Sequence, residues 1–372
     1  MTLHAVTIPK WGLAMEEGTL TSWLVAEGAT VTPGEEIAEI ETSKITNVLE
    51  SQVSGVLRRR LAEEGDLKPV GALIGVVTDA DYADADIDAF VAEFEARFAT
   101  EEKVGSGAPV PETLSVDSKP IRFLKIAGSD GADGTPAVLI HGFGGDYLNW
   151  MFNQAALATA RDVYAIDLPG HGGSTKDVGT ATLDSLAETV DAWMAAQGLA
   201  KAHVVAHSMG AGVALSLALA HPGRVASLTA LCGTGFGGTL NDDYVEGFLA
   251  AQKRKDLKPV AALLFADGDL VTREMLEDLI DYKRIDGVPE ALRLLIDNAL
   301  SADAIAALEA KRGDLKAPLL AIYGAEDQVV RTPAADKLPA GAAVIPATGH
   351  MPHLEAAEAV NAKIAGFLAA ND

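Results

Sequence analysis

Val204-Val205-Ala206-His207-Ser208-Met209-Gly210-Ala211-Gly212 joins an apolar run, Ala202–Val205, to a helix-forming run that continues through Leu217. A continuous apolar run of this length reads as a buried strand. The small residues that follow read as a sharp turn into a helix. A serine at the tip of such a turn has its Oγ thrust outward, and small residues two before and two after let the turn close. Here those residues are Ala206 and Gly210, so the pattern is A-x-S-x-G. The same pentapeptide also suits a simple packing turn between strand and helix, and the flanking sequence has to decide.

On both sides of this turn, apolar strands alternate with helical segments. Strands are expected at Ile121–Ala127, Pro136–Ile140, Asp162–Ile166, Ser227–Cys232, Leu319–Tyr323 and Ala343–Pro346. That alternation indicates a mostly parallel sheet covered by helices on both faces. Sites in such sheets lie outside the carboxyl ends of the strands. The polar clusters fall there: His141-Gly142-Phe143-Gly144-Gly145, Asp167-x-Pro169-Gly170-x-Gly172-x-Ser174, Ser208, Gly324-Ala325-Glu326-Asp327 and Gly349-His350.

These motifs, in this order, resemble the α/β-hydrolase family, with its chain order of nucleophile, acid and base. The resemblance implies Ser208 as nucleophile, His350 as its base and Asp327 as the acid that orients the base. It also implies an oxyanion hole from the backbone amides of Phe143 and Met209. Glu326 is the rival acid and His353 the rival base, the latter otherwise a pocket-wall or surface residue. His141 and His171 match structural or pocket-lining positions, and His207 reads as a packing residue beside the site. His4, His203 and His221 carry no functional signal. Between Cys232 and Leu319 there is room for four or five short helices, at Asp242–Lys253, Pro259–Ala266, Arg273–Asp281, Glu290–Asn298 and Ala304–Lys311. In the family such an insertion is a helical cap, placed here at about 235–312, with Phe236, Tyr244 and Phe248 as candidate lining.

Residues 1–78 read differently. Short alternating segments are separated by Gly and Pro turns, and Glu27-Gly28…Val31-x-Pro33 is echoed by Glu64-Gly65…Leu67-x-Pro69. Two similar halves suggest a small two-sheet sandwich with pseudo-twofold symmetry. Between them lies Ile40-Glu41-Thr42-Ser43-Lys44-Ile45-Thr46-Asn47-Val48, two apolar strands flanking a polar tip. Lys44 at its centre is either an ordinary exposed hairpin lysine or an attachment point. The halves and tip resemble a lipoyl domain. Most members carry Glu-Thr-Asp-Lys-Ala where this chain has Glu41-Thr42-Ser43-Lys44-Ile45. The sister biotinyl carriers flank their lysine with methionines, which Ser43 and Ile45 are not. The resemblance implies lipoate amide-linked to Lys44.

Residues 79–120 connect the two. Asp79–Glu102 holds nine acidic residues and one basic residue, Arg97, with Ile87, Phe90, Val91, Phe94 and Phe98 on one helical face. The stripe is expected to pack on the C-terminal domain or to dock a partner subunit. Lys103–Pro120, rich in Gly, Ser and Pro, reads as a flexible linker to a domain at 121–372. The fold expected is therefore multidomain: an all-β lipoyl-type sandwich, then an α/β hydrolase fold with a helical cap.

The chain has 372 residues and a net charge of −24 from 29 Lys and Arg against 53 Asp and Glu. That balance argues against nucleic acid or an anionic membrane as partner. Cys232 is the only cysteine, leaving no disulfide framework, and no metal-ligand spacing is evident. With no secretory signal layout at the start, a cytoplasmic location is expected.

A lipoyl-like carrier joined to an α/β hydrolase resembles the E2-type subunits of acetoin dehydrogenase complexes. That resemblance implies transfer of an acetyl group from the dihydrolipoyl arm of Lys44 to coenzyme A. It implies as partners a thiamine-diphosphate-dependent E1 and a dihydrolipoamide dehydrogenase, with a homo-oligomer open. Two other classes remain. One is a serine hydrolase, acting on an ester or a carbon–carbon bond, with an appended carrier; the other is a scaffold with a vestigial triad.

Overall fold

The computed structural model describes residues 3–9, 17–41, 46–79, 82–105, 109–129 and 131–372. The chain divides into two compact units, Met1–Ala108 and Pro109–Asp372.

The N-terminal unit contains β1 (Leu3–Thr7), β2 (Glu17–Trp23), β3 (Thr30–Val31), β4 (Glu36–Glu41), β5 (Thr46–Glu50), β6 (Gly55–Arg60), β7 (Leu67–Pro69) and β8 (Leu73–Thr78). They form two four-stranded sheets, ordered β1-β8-β6-β3 and β5-β4-β2-β7. Between the sheets lies a core that includes Leu20, Ile37, Ile40, Leu57, Ile74 and Val77. The repeat seen in the sequence is a repeat of turns. Gly28 and Gly65 both take left-handed backbone, φ 89° and 97°, which glycine adopts without steric cost. Each amide then donates at 2.7 Å to a strand carbonyl, Gly28 to Leu57 and Gly65 to Leu20.

The helix α1 (Asp84–Gly105) belongs to this unit. It lies on β8, with Ile87 fully buried. Arg59 reaches Asp88 at 3.2 Å and Asp84 at 3.7 Å. Phe90, Phe94 and Phe98 are half-buried, and successive rings sit 6.4 Å apart along the helix. The ring of Phe98 covers Gly71.

The expected linker is also shorter than its composition indicates. Within 103–120 run the end of α1, the strand β9 (Glu112–Val116) and the start of β10 (Lys119–Ile126), so the second unit begins at Pro109 rather than 121. Asp117 and Ser118, φ 48° and 65°, close the β9–β10 hairpin. Two consecutive positive φ values suit a tight hairpin turn, a use of polar residues that composition alone does not separate from a linker.

After β10 come β11 (Ala137–Ile140), α2 (Gln154–Leu157), β12 (Val163–Ile166), α3 (Leu183–Ala196), β13 (Ala202–His207), α4 (Met209–Ala220), β14 (Val225–Leu231) and β15 (Thr239–Leu240). Next are α5 (Asp242–Ala250), α6 (Arg254–Ala262), α7 (Arg273–Arg284), α8 (Val288–Asn298) and α9 (Ala302–Lys311). The chain finishes with β16 (Leu319–Gly324), β17 (Val330–Arg331), β18 (Ala343–Ile345), α10 (Pro352–Glu355) and α11 (Ala357–Ala369). The main sheet has eight strands, ordered β18-β16-β14-β13-β11-β12-β10-β9. From β12 to β18 all neighbours are parallel, while β10 and β9 add an antiparallel edge.

Strand β13 lies at the centre and sends side chains to both faces. Val204 and Ala206 enter the core shared with α3, α4 and the inserted helices, and Val205 enters the core beneath α11. A strand buried on both faces has no polar alternation, which is why it reads as a continuous apolar run. For the same reason α4 is buried all round from Met209 to Ala218. The five helices α5–α9 all fall between β14 and β16, in the stretch read as a cap. Among the described residues no helix is long and apolar enough to cross a membrane.

Candidate active site

Ser208 is the junction of β13 and α4. Its backbone is held at φ 54°, ψ −122°, a strained conformation for a residue with a Cβ. The strain is fixed from both directions: the Ser208 amide donates to Leu231 on β14 at 2.9 Å, and its carbonyl accepts from Ala211 and Thr234. Gly210 makes the turn possible. A Cβ there would stand 2.3 Å from the His141 carbonyl oxygen and 2.7 Å from that of Ile140. Only glycine lets α4 start this close to β11.

The three residues expected from family order meet at this turn. His350 Nε2 is 2.9 Å from Ser208 Oγ, and His350 Nδ1 is 2.8 Å from Asp327 Oδ2. The other Asp327 oxygen accepts from the amides of Val329 and Val330 at 2.8 and 2.9 Å. The carboxylate is therefore fully used and rigidly aimed. All three side chains are buried. Glu326, the rival acid, is exposed, and the carboxylate at His350 Nδ1 is that of Asp327.

Cys232 adds a group that the sequence reading left out of the site. Its Sγ, an Asp327 oxygen and a His350 nitrogen lie within 4.8 Å of one another. Burial first, then the Asp327 charge, push its thiol well above the ordinary cysteine range, so it stays protonated and unreactive. Both Asp327 oxygens are already committed, which leaves little for this trio to offer a metal ion.

The loop carrying Phe143 is held by two histidines with defined tautomers. His141 donates from Nδ1 to the Gly142 carbonyl at 2.7 Å and accepts at Nε2 from the Leu168 amide at 3.0 Å. His171 accepts at Nε2 from the Gly144 amide at 3.1 Å, with Nδ1 facing the Pro169 carbonyl at 3.1 Å. Both are fully buried, and burial lowers both below the ordinary histidine range. A neutral ring is required to accept as well as donate. Asp167 anchors the same region, accepting from Arg122 Nε at 2.5 Å and from the amides of Tyr147 and Gly173, each at 2.8 Å. Asp146 beside it is raised to about 6, chiefly by burial and then by the Asp167 charge. Among the described residues, the amides of Phe143 and Met209 have no acceptor. Two free N–H groups flanking a serine hydroxyl suit an oxyanion.

His207 packs against the base, and His353 packs against His207. The His207 ring is 4.5 Å from that of His350 and 4.7 Å from that of His353, and His207 Nε2 faces the His350 carbonyl at 2.8 Å. His353 is fully buried against Trp150, not a surface residue, and neither of its ring nitrogens has a partner. Burial first, then His350, press it down to about 3. Over the site, Phe248 of α5 stands 5.7 Å from the ring of Phe143, with Tyr244 6.2 Å from Phe248. Phe236 is buried and gives its carbonyl to the Tyr323 hydroxyl at 2.8 Å.

Lys44 falls in 42–45, outside the described residues. The strands on either side of it, β4 and β5, pair as far as Glu41 and Thr46.

Fold and relay define an α/β-hydrolase-fold unit with a serine–histidine–aspartate arrangement, joined to a biotinyl/lipoyl-type unit. Family profiles agree: that of the alpha/beta hydrolase fold matches residues 135–357, and one described as biotin-requiring enzyme matches residues 4–77. A dihydrolipoyllysine-residue acetyltransferase component of the acetoin cleaving system from Pseudomonas putida is 43% identical over 373 residues, covering 98% of each chain. Its counterpart from Cupriavidus necator is 43% identical over 366 residues, covering 97% of this chain and 96% of its own. The chain belongs to this family of acetoin-system acetyltransferase components. Among solved structures, a meta-cleavage product hydrolase from Pseudomonas fluorescens is 22% identical over 70% of this chain and 98% of its own, with a TM-score of 0.60, a likeness of fold alone.

Proposed function

We propose that the chain transfers an acetyl group from a dihydrolipoyl thioester to the thiol of coenzyme A in acetoin breakdown, with Ser208 carrying the acetyl group between them. The reading is carried by the relay Asp327–His350–Ser208, at 2.8 and 2.9 Å, beside two amides that have no other acceptor. His350 takes the Ser208 proton as Oγ attacks the thioester carbonyl, and the Phe143 and Met209 amides hold the oxyanion. The carbon–sulfur bond then breaks, and His350 returns the proton to the departing thiolate. In the second half His350 deprotonates the coenzyme A thiol, which attacks the Ser208 ester, and Ser208 recovers its proton. Asp327 keeps His350 in the tautomer that accepts at Nε2 and stabilises the imidazolium.

Lys44 is the residue that would hold lipoate. β4 and β5 pair as far as Glu41 and Thr46, β5 is an edge strand of its sheet, and in the sequence Lys44 falls between the two strands. One primary amine there suits amide formation with the lipoate carboxyl. When attached, the group supplies a dithiol that accepts the acetyl unit from another enzyme. The chemistry calls for a thiamine-diphosphate-dependent E1 to load it and a dihydrolipoamide dehydrogenase to reoxidise it.

The test supplies the full chain with S-acetyl-dihydrolipoamide, with and without coenzyme A, and traps it for peptide mass analysis. Acetyl on Ser208 with acetyl-coenzyme A as product is expected. Free acetate formed equally fast in both arms would make the chain a hydrolase. In a lipoate-supplied cell the wild type is expected to gain the mass of one lipoyl group, and Lys44→Arg none.

A further inference from the structure

We propose that an open groove of about 760 Å³ between α6 and α7 of the cap is the seat for the phosphates and adenine of coenzyme A. Its edge is cationic, with Arg254, Lys255, Lys258 and Arg273, against one lining carboxylate, Asp269. Its floor is apolar, including Pro259, Val271 and Leu276. An apolar floor with a cationic rim matches a nucleotide, which presents a flat base beside phosphates.

Arg254 and Arg273 both reach one carboxylate oxygen of Glu277, at 2.7 and 2.9 Å, so the charge offered to a ligand rests on the two lysines. Lys255 and Lys258 are exposed, and among the described residues neither has a carboxylate within 4.0 Å. The six residues Lys253–Lys258 hold four cations and one carboxylate, in a chain of net charge −24. Such a chain repels a polyanion unless it presents a local basic surface.

One turn of the chain links the groove wall to the relay. The wall includes Ala262 and Gly268, and the turn between them, at Phe265 and Ala266, rests on the backbone of Gly349, next to His350. A Cβ on Gly349 would stand 2.6 Å from the Phe265 carbonyl carbon. Glu355 fastens this contact, accepting from the Ala266 and Gly349 amides at 2.8 Å each. Phosphates held in the groove leave the flexible pantetheine arm to bring the thiol toward Ser208.

This inference rests on the transferase reading, and the experiment separates the two. Lys255→Glu with Lys258→Glu, and the milder Lys255→Gln with Lys258→Gln, are made in the full chain. Binding of coenzyme A and of dephospho-coenzyme A is followed by calorimetry, and KM is compared for coenzyme A and pantetheine as acceptors. The charge-reversed variant is expected to raise KM for coenzyme A by at least about tenfold, equivalent to about 1.4 kcal/mol. The glutamine variant should fall between, and KM for pantetheine, which has no phosphate, should not move. An unchanged KM and affinity for coenzyme A overturns the groove, and acetyl-coenzyme A formation by the wild type then leaves the transferase standing. Charge-dependent binding of coenzyme A without acetyl transfer supports the groove and sinks the transferase. A normal KM for coenzyme A with slowed use of the chain's own acetylated arm overturns the proposal and assigns the basic surface to the carrier.

Discussion

In the N-terminal unit the expected chemistry rests on one amine, Lys44, between two paired strands. In the C-terminal unit it rests on an assembly of buried polar groups: Ser208, Asp327 and His350, with His141, His171, Asp167 and Arg122 fixing the loop beside them. A carrier lysine has only to be reached by a ligase and by distant sites. A nucleophile has to be aimed, desolvated and paired with its base before the substrate arrives. The first task asks little of the residues around the lysine. The second does not, and it concentrates strain and sensitivity in the second unit.

The largest effect expected from that difference is at the nucleophile. Ser208→Ala should lower acetyl transfer by on the order of a thousandfold or more, as loss of a triad serine does when the relay acts as one unit. The carrier unit should still be lipoylated in this variant, which intact mass reads directly. Full transferase activity in Ser208→Ala would shift the mechanism to direct attack by coenzyme A, with His350 as base.

The same difference governs what could be read from the sequence. Both folds were legible, because the Gly28 and Gly65 turns and the apolar strands repeat locally. The relay residues were legible too, because each sits at a strand end with a short motif. The environment of the relay was legible only in part: His141, His171 and His207 were expected as structural or packing residues near the site, but their mutual contacts and the burial of His353 come only from the fold. Asp167-x-Pro169-Gly170-x-Gly172-x-Ser174 did carry a signal for the loop anchor, since Gly173 and Ser174 tie the Asp167 region to β10. The contact of helix α1 with β8 was not foreseen, because an apolar stripe tells that a face is covered and not by what. The groove between α6 and α7 had no motif, because a short basic run such as Lys253–Lys258 reads as an ordinary solvated helix face until the fold sets it beside Val271 and Leu276.

Next in size is Gly210→Ala. The added methyl would meet backbone carbonyl oxygens of His141 and Ile140, which cannot rotate away. A loss of about 3 kcal/mol is expected, the upper end for overpacking. Melting of the C-terminal unit would fall while that of the N-terminal unit stayed, and an unchanged melt would mean that α4 can shift its start.

An effect that is smaller over the first two pH units below about 6.5 follows from protonation of a buried ring. His353 is held down to about 3 against 6.5 for a free histidine, so below 6.5 the unfolded chain binds a proton that the folded chain refuses. Stability from this group is complete above about pH 6.5 and is lost as pH falls toward 3, by about 1.4 kcal/mol per pH unit. His353→Phe keeps the packing on Trp150 and removes two unpartnered nitrogens, so it should flatten the acid limb by that slope. The N-terminal unit, whose only histidine is His4, should keep its own pH dependence in the same variant. Parallel acid limbs in wild type and variant would show that the ring gains a proton partner on acidification.

The smallest effect lies on the other side of the comparison, in α1. Its apolar face is only half covered: Ile87 is buried, but Phe90 and Phe94 are partly exposed, with their rings in tilted contact. Partly buried rings contribute a fraction of the roughly 1.5–3 kcal/mol of a fully buried side chain. Phe90→Asp with Phe94→Asp should therefore cost about 1–2 kcal/mol, and the cost should stay local. Arg59 would still pair with Asp84 and Asp88, so the first turns of α1 should remain attached while the turns toward Phe98 loosen. Amide exchange is the measurement, because it reads both units in one sample. Faster exchange along 90–98, with 204–217 unchanged, is the expected pattern. Faster exchange through both segments would mean that α1 stabilises more than its own unit. Unchanged exchange throughout would mean that the Arg59 ion pairs and Ile87 hold the helix without the phenylalanine rings.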